Sequence, residues 1–315
     1  MTEGRVPLIL DVDTGIDDAV AIALALADPR AEVVAVTTLA GNVGVEQVVA
    51  NTFKVLNFLG ANEIPVHRGA SKPLVRELRD AQYFHGRDGL GEPGLPPFDR
   101  PLGSDRGPAA IIRLARQRPG EITLVCQGPL TNLAIALNVA PELPSLLKSV
   151  VVMGGAFRVA GNVTAHAEYN IFADPEAAVE VFANRAIDLT VVGLDVSHQV
   201  VLPKAVWELA ATSPSPFAQL VAKVSAWVWT GHRRTGMFLH DPLAVAVALD
   251  PTLVTSTGRS VTVSCAPENR GETRAMRAGT IWVAETVEAR RFLESFCDLL
   301  GLTWIPADPS TLRPV

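Results

Sequence analysis

Short runs that are apolar at every position alternate along this chain with stretches whose apolar residues recur every three or four places. VPLILDV precedes DDAVAIALALA, EVVAVTT precedes VEQVVANTFKVLNFLG, and ITLVCQ precedes LTNLAIALNVA; SVVVMGG, PEAAVEVFANR and IDLTVVGLD continue the series. A run without polar alternation suits a strand covered on both faces, and a helix between two such strands returns the chain parallel to the first. The rhythm therefore predicts an α/β fold, a mostly parallel central sheet with helices on both faces, open and Rossmann-like, in one domain over residues 1–315. Past Asp250 the pattern changes. VTVSCAPENRGETRAMRAG and TIWVAE read as a hairpin or extended pair before a final helix near 285–299, an appendage to the sheet and not a second domain. The Gly/Pro-rich stretch GRDGLGEPGLPPFDRPLGSDRGP (86–108) is long for a loop in a compact domain, the profile of a functional or mobile segment.

Charge narrows the partners. With 27 basic against 33 acidic residues and no basic block longer than Arg233-Arg234, a nucleic acid backbone is not the expected ligand. No apolar run reaches the roughly 18 uncharged residues of a membrane span. MTEGRVPL lacks the marks of a secretory leader, so a cytoplasmic location is expected. Cys126, Cys265 and Cys297 are too scattered for a disulfide framework or a zinc site and read as free thiols.

In an open α/β sheet, ligands collect at the carboxyl ends of the strands. Asp11 and Asp13 follow LIL, Thr37, Thr38 and Asn42 follow EVVAV, Gln127, Thr131 and Asn132 follow ITLVC, and Asp195 follows LTVVGL. The densest cluster lies in LILDVDTGIDDAVAIALAL, where Asp11, Asp13, Asp17 and Asp18 are crowded between apolar walls. A helix N-terminus accounts for part of this, with Asp17 and Asp18 on the dipole and Thr14 or Asp13 as cap. A cap needs one short acceptor, however, and the remaining carboxylates repel unless a cation joins them. Carboxylates without His or Cys suit a hard ion, and Ca²⁺ tolerates irregular ligand shells better than Mg²⁺. Gly15 is expected to let the chain turn sharply, so that the acids on either side face one point. On a helix Asp17 and Asp18 diverge by about 100°, which lets one face a metal and the other a substrate.

DVDTGIDDA resembles the N-terminal signature of the inosine-uridine nucleoside hydrolases, which cleave the N-glycosidic bond of ribonucleosides to ribose and free base. Further pieces follow in the family's order: GN at 41–42, HGRDGLG at 85–91, QGPLTN at 127–132, MGGAF with GNVTAHAEYNIFADPEAA within 153–178, and HDPLA at 240–244. The resemblance implies that Asp13, Asp18 and Asp241 bind Ca²⁺ through carboxylates, with the main-chain carbonyl of Gln127 as a further ligand and Asp13 also the general base. In the family the ion holds the attacking water and the ribose 2′- and 3′-hydroxyls, so one cation orients both reactants. Asp17 and Asn42 match residues bonded to the ribose diol, and Asn162, Glu168 and Asn170 match those on its 5′ side. His240, beside Asp241, is the leading candidate to give the departing base a proton. His85 matches a position near the nucleobase, on a loop whose closure over substrate is plausible. The family also implies a homodimer or homotetramer, and the presence of both histidines resembles its pyrimidine-cleaving or broad branches.

Plainer roles compete at several positions. Asn162 and Asn170 suit turns and Glu168 a solvated loop, although the N-x5-E-x-N spacing argues against chance. Thr131 or Asn132 is expected to cap the helix that follows it. Trp227 and Trp229, with His232, either line the base pocket or belong to the core, and Phe157 and Tyr169 are candidates to pack on the nucleoside. His67, His166 and His198 read as structural or surface residues. Two departures from the family are Thr14, where a Pro is usual, and Gln127, where a small or apolar residue is common; either bears on metal affinity or rate. Two other functions fit an initial strand with DxD. An aspartate-nucleophile, Mg²⁺-dependent phosphohydrolase wants Gly-Thr directly after the second Asp, whereas Thr14-Gly15 stand in reverse order here. A non-catalytic nucleoside or Ca²⁺ binding protein is disfavoured by an intact Asp13.

Overall fold

The computed structural model describes residues 4–232 and 236–306. The apolar runs form β1 (Val6–Val12), β2 (Ala31–Thr38), β3 (Val66–Arg68), β4 (Thr123–Cys126), β5 (Ser149–Met153) and β6 (Leu189–Val192). Two short strands, β7 (Val201–Pro203) and β8 (Gly236–Phe238), make a separate antiparallel ribbon. With β9 (Val254–Val263), β10 (Thr273–Ala278) and β11 (Ile281–Val287), the main sheet has nine strands in the order β10-β9-β11-β6-β5-β4-β1-β2-β3. Every pairing from β3 across to β11 is parallel.

The continuous apolarity of the strands reflects two covered faces. On β1, Leu8, Leu10 and Val12 face one core layer and Ile9 faces the other, as strand alternation requires. Helix Ile16–Ala27 packs with Pro216–Thr230 and His240–Leu249 on the first face, while Gly107–Gln117, Thr131–Val139 and Pro175–Ala183 cover the second. Among the described residues no helix is long and apolar enough to cross a membrane.

The segment after Asp250 is more than a hairpin laid beside the sheet. β11 pairs in parallel with β6, Ile281 opposite Leu189, and β9 lies between β11 and β10, antiparallel to both. Three strands stand where the local pattern suggested a pair, because a strand inserted between two later ones leaves no mark in a short window of sequence. The final helix, Ala289–Leu299, buries Phe292 and Phe296.

Candidate active site

Parallel register brings the carboxyl ends of β1, β2, β4 and β5 to one rim: Asp11 stands opposite Thr37 and Cys126, and Cys126 opposite Val152. Asp13 leaves β1 there, and the loop after β2 comes so close that a Cβ on Gly41 would overlap its carboxylate. The Asn42 N–H donates to Asp13 Oδ2 at 2.8 Å, while Oδ1 is buried without a hydrogen-bond partner. Asp18 accepts from the N–H groups of Gly15 (2.8 Å) and Asp13 (3.1 Å) and from Asn42 Nδ2 (3.2 Å). Asp18 thus serves the helix N-terminus that Thr14 was a candidate to cap; the Thr14 hydroxyl instead bonds Thr52 Oγ1 at 2.6 Å. Gly15 has φ −100°, open to any residue, so no sharp turn requires it. Close approach does, since a Cβ would stand 2.6 Å from both Asn42 Nδ2 and His85 Nδ1.

Carboxylate oxygens of Asp17, Asp18 and Asp241 lie within 4.8 Å of one another. Asp17 and Asp18 come from the first turn of helix 16–27 and Asp241 from the first turn of helix 240–249, so two helix N-termini face the cluster. Asp17, matched by resemblance to the ribose diol, belongs to this trio; Asp13 lies against Asp18 outside it. The Gln127 carbonyl receives Asn170 Nδ2 at 2.6 Å, which occupies one of its two lone pairs. Burial first, then neighbouring negative charge, drives the carboxyls upward: Asp17 to about 7, and Asp13 and Asp241 well above 3.8. Burial also raises Asp18. No Lys or Arg lines the cleft among the described residues. An all-oxygen donor set with an orphaned carboxylate oxygen and no internal counter-charge fits a hard divalent cation.

The cleft beside this cluster is walled by Asp17, Asn42, His85, Gln127, Asn162, Glu168, Asn170, His240 and Asp241, together with Ala81, Tyr83, Phe84, Met153 and Tyr169. Glu168 is no solvated loop charge. It is buried and accepts from the N–H groups of Asn170 (2.8 Å), Gly155 (3.1 Å) and Ile171 (3.1 Å), capping the short helix Tyr169–Ala173. Asn162 Oδ1 receives the Tyr169 N–H at 2.9 Å. On the far side, His240 Nδ1 is 2.8 Å from Ser197 Oγ, and burial with two nearby imidazoles lowers its pKa to about 3. His85 Nδ1 accepts the Ile16 N–H at 3.0 Å, and burial likewise lowers it to about 3.

A sequence model described as "Inosine-uridine preferring nucleoside hydrolase" matches residues 8–294. The chain is 38% identical over 275 residues, 85% of each protein, to a "Probable uridine nucleosidase 2" of Arabidopsis thaliana. It is 41% identical over 254 residues, 79% of this chain and 80% of the other, to an "Inosine-uridine preferring nucleoside hydrolase" of Leishmania major. The solved plant nucleoside hydrolase PpNRh1 superposes with a TM-score of 0.89 at 34% identity, over 94% of this chain and 99% of that one. The chain belongs to the inosine-uridine preferring nucleoside hydrolase family. It is a ribonucleoside hydrolase, an enzyme of N-glycosidic bonds.

Several expected residues of this hydrolase lie elsewhere. Neither Thr131 nor Asn132 caps the helix, whose N-cap position is Leu130, without a side-chain acceptor. Thr131 Oγ1 donates to Asp174 at 2.7 Å, which ties its helix to the start of helix Pro175–Ala183, and Asn132 Nδ2 donates to Asp11 Oδ1 at 2.7 Å and the Thr38 carbonyl at 3.1 Å, which ties the ends of β1 and β2. Asp11, bonded also by Thr37, stands behind the acidic rim, where burial raises it to about 7. Trp227 and Trp229 pack in the core and do not line the cleft. His232 lies one layer back, stacked on Phe84 at 4.9 Å with Nε2 on the Phe84 carbonyl, 2.9 Å. Phe157 packs on the second core layer, whereas Tyr169 is on the cleft wall. His198 stacks on Phe238 beside His240, His67 bonds the Asp105 carbonyl, and His166 is exposed. Tyr83 and Phe84 were missed although they directly precede HGRDGLG. Ser197 had no local signal, since it meets His240 only through the fold.

Proposed function

We propose that this enzyme is Ca²⁺-dependent and uses Asp13 as general base, with uridine among its substrates and a pyrimidine or broad base preference. The observation that carries the proposal is the cluster of Asp17, Asp18 and Asp241, two of them buried, without a basic side chain, beside a cleft whose wall also carries three Asn and Glu168. Asp13, Asp18, Asp241 and the Gln127 carbonyl would hold the ion, with Asp17 close enough to share it. A bound divalent cation supplies the counter-charge that ionises these acids and Lewis acidity toward water and a ribose diol.

The side chains do the rest. Asp13 is held through one oxygen by Asn42 and keeps the other to take a proton from the attacking water. Asp17 and Asn42 offer an acceptor and a donor to the 2′- and 3′-hydroxyls. Asn162, Glu168 and Asn170 face the 5′ side, fixed by the backbone bonds already described. Ser197 holds one nitrogen of His240, which leaves the other for the base. His240 is neutral in the free site, and negative charge growing on a departing base is what favours its proton. The outcome is displacement at an oxocarbenium-like ribosyl carbon by water, as in an inverting glycosidase. Uridine in the names of two relatives supports the base preference. The family also carries the expectation of a homodimer or homotetramer.

The test is to incubate the enzyme with uridine, inosine, 2′-deoxyuridine and p-nitrophenyl phosphate, before and after chelation. Base should be released from the ribonucleosides and no phosphate from the ester. Chelation should abolish the reaction and Ca²⁺ restore it. A site built to bind both hydroxyls should reject 2′-deoxyuridine by up to about 10⁴-fold in kcat/KM. Full activity of metal-free enzyme would remove the cation, and equal rates on uridine and 2′-deoxyuridine would remove the diol contacts.

A further inference from the structure

The helix that carries Tyr169 and Asn170 is five residues long, too short to persist on its own hydrogen bonds. Glu168 secures its N-terminus. Its C-terminal carbonyls need partners from elsewhere, as at any helix end. They find them in Arg270, nearly a hundred residues away: Nε donates to the Phe172 carbonyl at 2.8 Å and Nη2 to the Ala173 carbonyl at 2.9 Å. Arg270 is 9% exposed, and its guanidinium carbon sits 4.3 Å from the centre of the Phe172 ring. Arg270 lies in the turn between β9 and β10, and the neighbours of Arg270 in that turn fasten to the same part of the cleft wall. Gly271, at φ +78°, lies so close that a Cβ would stand 2.6 Å from Phe172 Cα. Glu272 bridges to Ala167. Thr273 Oγ1 receives the Ala156 N–H and donates to the Ala156 carbonyl, each at 2.9 Å.

We infer that the 264–273 turn is a positioning element for substrate binding, with Arg270 as the clamp that holds the helix of Asn170 and Glu168 in register with the 5′ side of the sugar. Arg270 does not touch the cleft; it acts through the helix it closes. The turn reaches across from the outer edge of the sheet, so the last part of the chain contributes to substrate recognition without supplying a contact residue. The inference rests on the proposed assignment of Asn162, Glu168 and Asn170 to the 5′-hydroxyl side.

The experiment compares uridine with 5′-deoxyuridine on wild-type, Arg270→Met and Arg270→Lys enzymes, with kcat, KM and Tm measured for each. Wild-type enzyme should favour uridine in kcat/KM. Arg270→Met should raise KM for uridine by about tenfold with kcat changed less than about twofold, and leave 5′-deoxyuridine nearly unaffected, so the preference collapses. Arg270→Lys, which keeps one donor, should restore part of it. A lower Tm with the uridine preference intact would overturn the inference, because it would make Arg270 a stabilising residue and nothing more. If wild-type enzyme showed no preference, the 5′ assignment itself would fall and the inference with it. Should Arg270→Met fail to fold, Thr273→Val carries the same comparison, since it unfastens the turn at Ala156.

Discussion

Glu168 and Asp241 are both buried carboxylates on the wall of one cleft, yet they are surrounded in opposite ways. Glu168 accepts three backbone N–H groups at 2.8–3.1 Å, which offset part of what burial costs it and leave its pKa raised. Asp241 faces Asp17, Asp18 and Asp13, each of which adds repulsion to its burial. One acid is satisfied by the chain, and the other is placed where only something from outside can satisfy it. The two ends of the cleft therefore have different work. In the proposed mechanism the acidic end would bind a cation and activate water, while the Glu168 end would fix the sugar.

The largest test of that division is Asp13→Asn set beside Glu168→Gln. The first keeps shape and an oxygen but removes the proton acceptor, so kcat should fall by on the order of 10³ to 10⁴ on every substrate, including p-nitrophenyl riboside. The second keeps shape and one acceptor oxygen, sets an NH2 group against a backbone N–H donor, and removes charge that takes no part in proton transfer, so the loss should fall mainly on KM, by about tenfold. Bound Ca²⁺ is quantified in both, to separate lost metal from lost chemistry. Equal losses in kcat would erase the distinction between the two ends.

That distinction was only partly legible in the sequence. The sheet core was, because β1 to β6 and the helices between them carry their periodicity locally. So was the acidic knot, whose crowding is a fact of eight adjacent residues. The arrival of Asp241, Asn162, Glu168 and Asn170 came from family resemblance, since nothing near them in sequence says where the chain will bring them. Least legible were the side chains behind the wall. Asn132 reaches Asp11 across 121 positions, Arg270 reaches Phe172 across 98 and Ser197 reaches His240 across 43. Such bonds follow from strand order and helix packing, and a residue such as Thr131, which has the look of a cap, is recruited to Asp174 instead because the fold presents a better acceptor.

A smaller effect is expected at the third side of the cleft. His240→Ala removes assistance to the leaving group, typically about 10² to 10⁴ for a general acid, so uridine and inosine should slow by that range. p-Nitrophenyl riboside, whose leaving group departs without a proton, should be spared. Ser197→Ala should move the same way but less, as it frees the ring without removing it. If His240→Ala slows the activated riboside as much as uridine, the imidazole supports Asp241 and not the base.

The smallest expected effect is on stability, and it separates the two ends by pH. Asp17 rises from the ordinary 3.8 to about 7 in the folded chain. Below about pH 4 both folded and unfolded states keep that proton, so its burial costs nothing; between about pH 4 and 7 the unfolded chain releases it while the folded chain holds it. Stability of the cation-free protein therefore falls as pH rises through this window, and the loss is complete above it. Asp13, Asp18 and Asp241 shift in the same direction and add to the effect. His85 and His240, lowered to about 3, act in the opposite sense: their contribution is present above 6.5 and is lost as pH falls. Because that loss occurs with or without a cation, the difference between the two conditions isolates the carboxylates. The Tm gain on adding Ca²⁺, read by calorimetry at fixed ionic strength, should accordingly grow by on the order of a few degrees from about pH 5 to about pH 8. Glu168→Gln should reduce that growth only slightly, since Glu168 is the smallest of the charges that raise Asp17 and Asp241, whereas Asp241→Asn should flatten it. A Ca²⁺ gain that is the same at both pH values would mean that the crowded acids are already neutralised by the chain itself, and that the two ends of the cleft are alike after all.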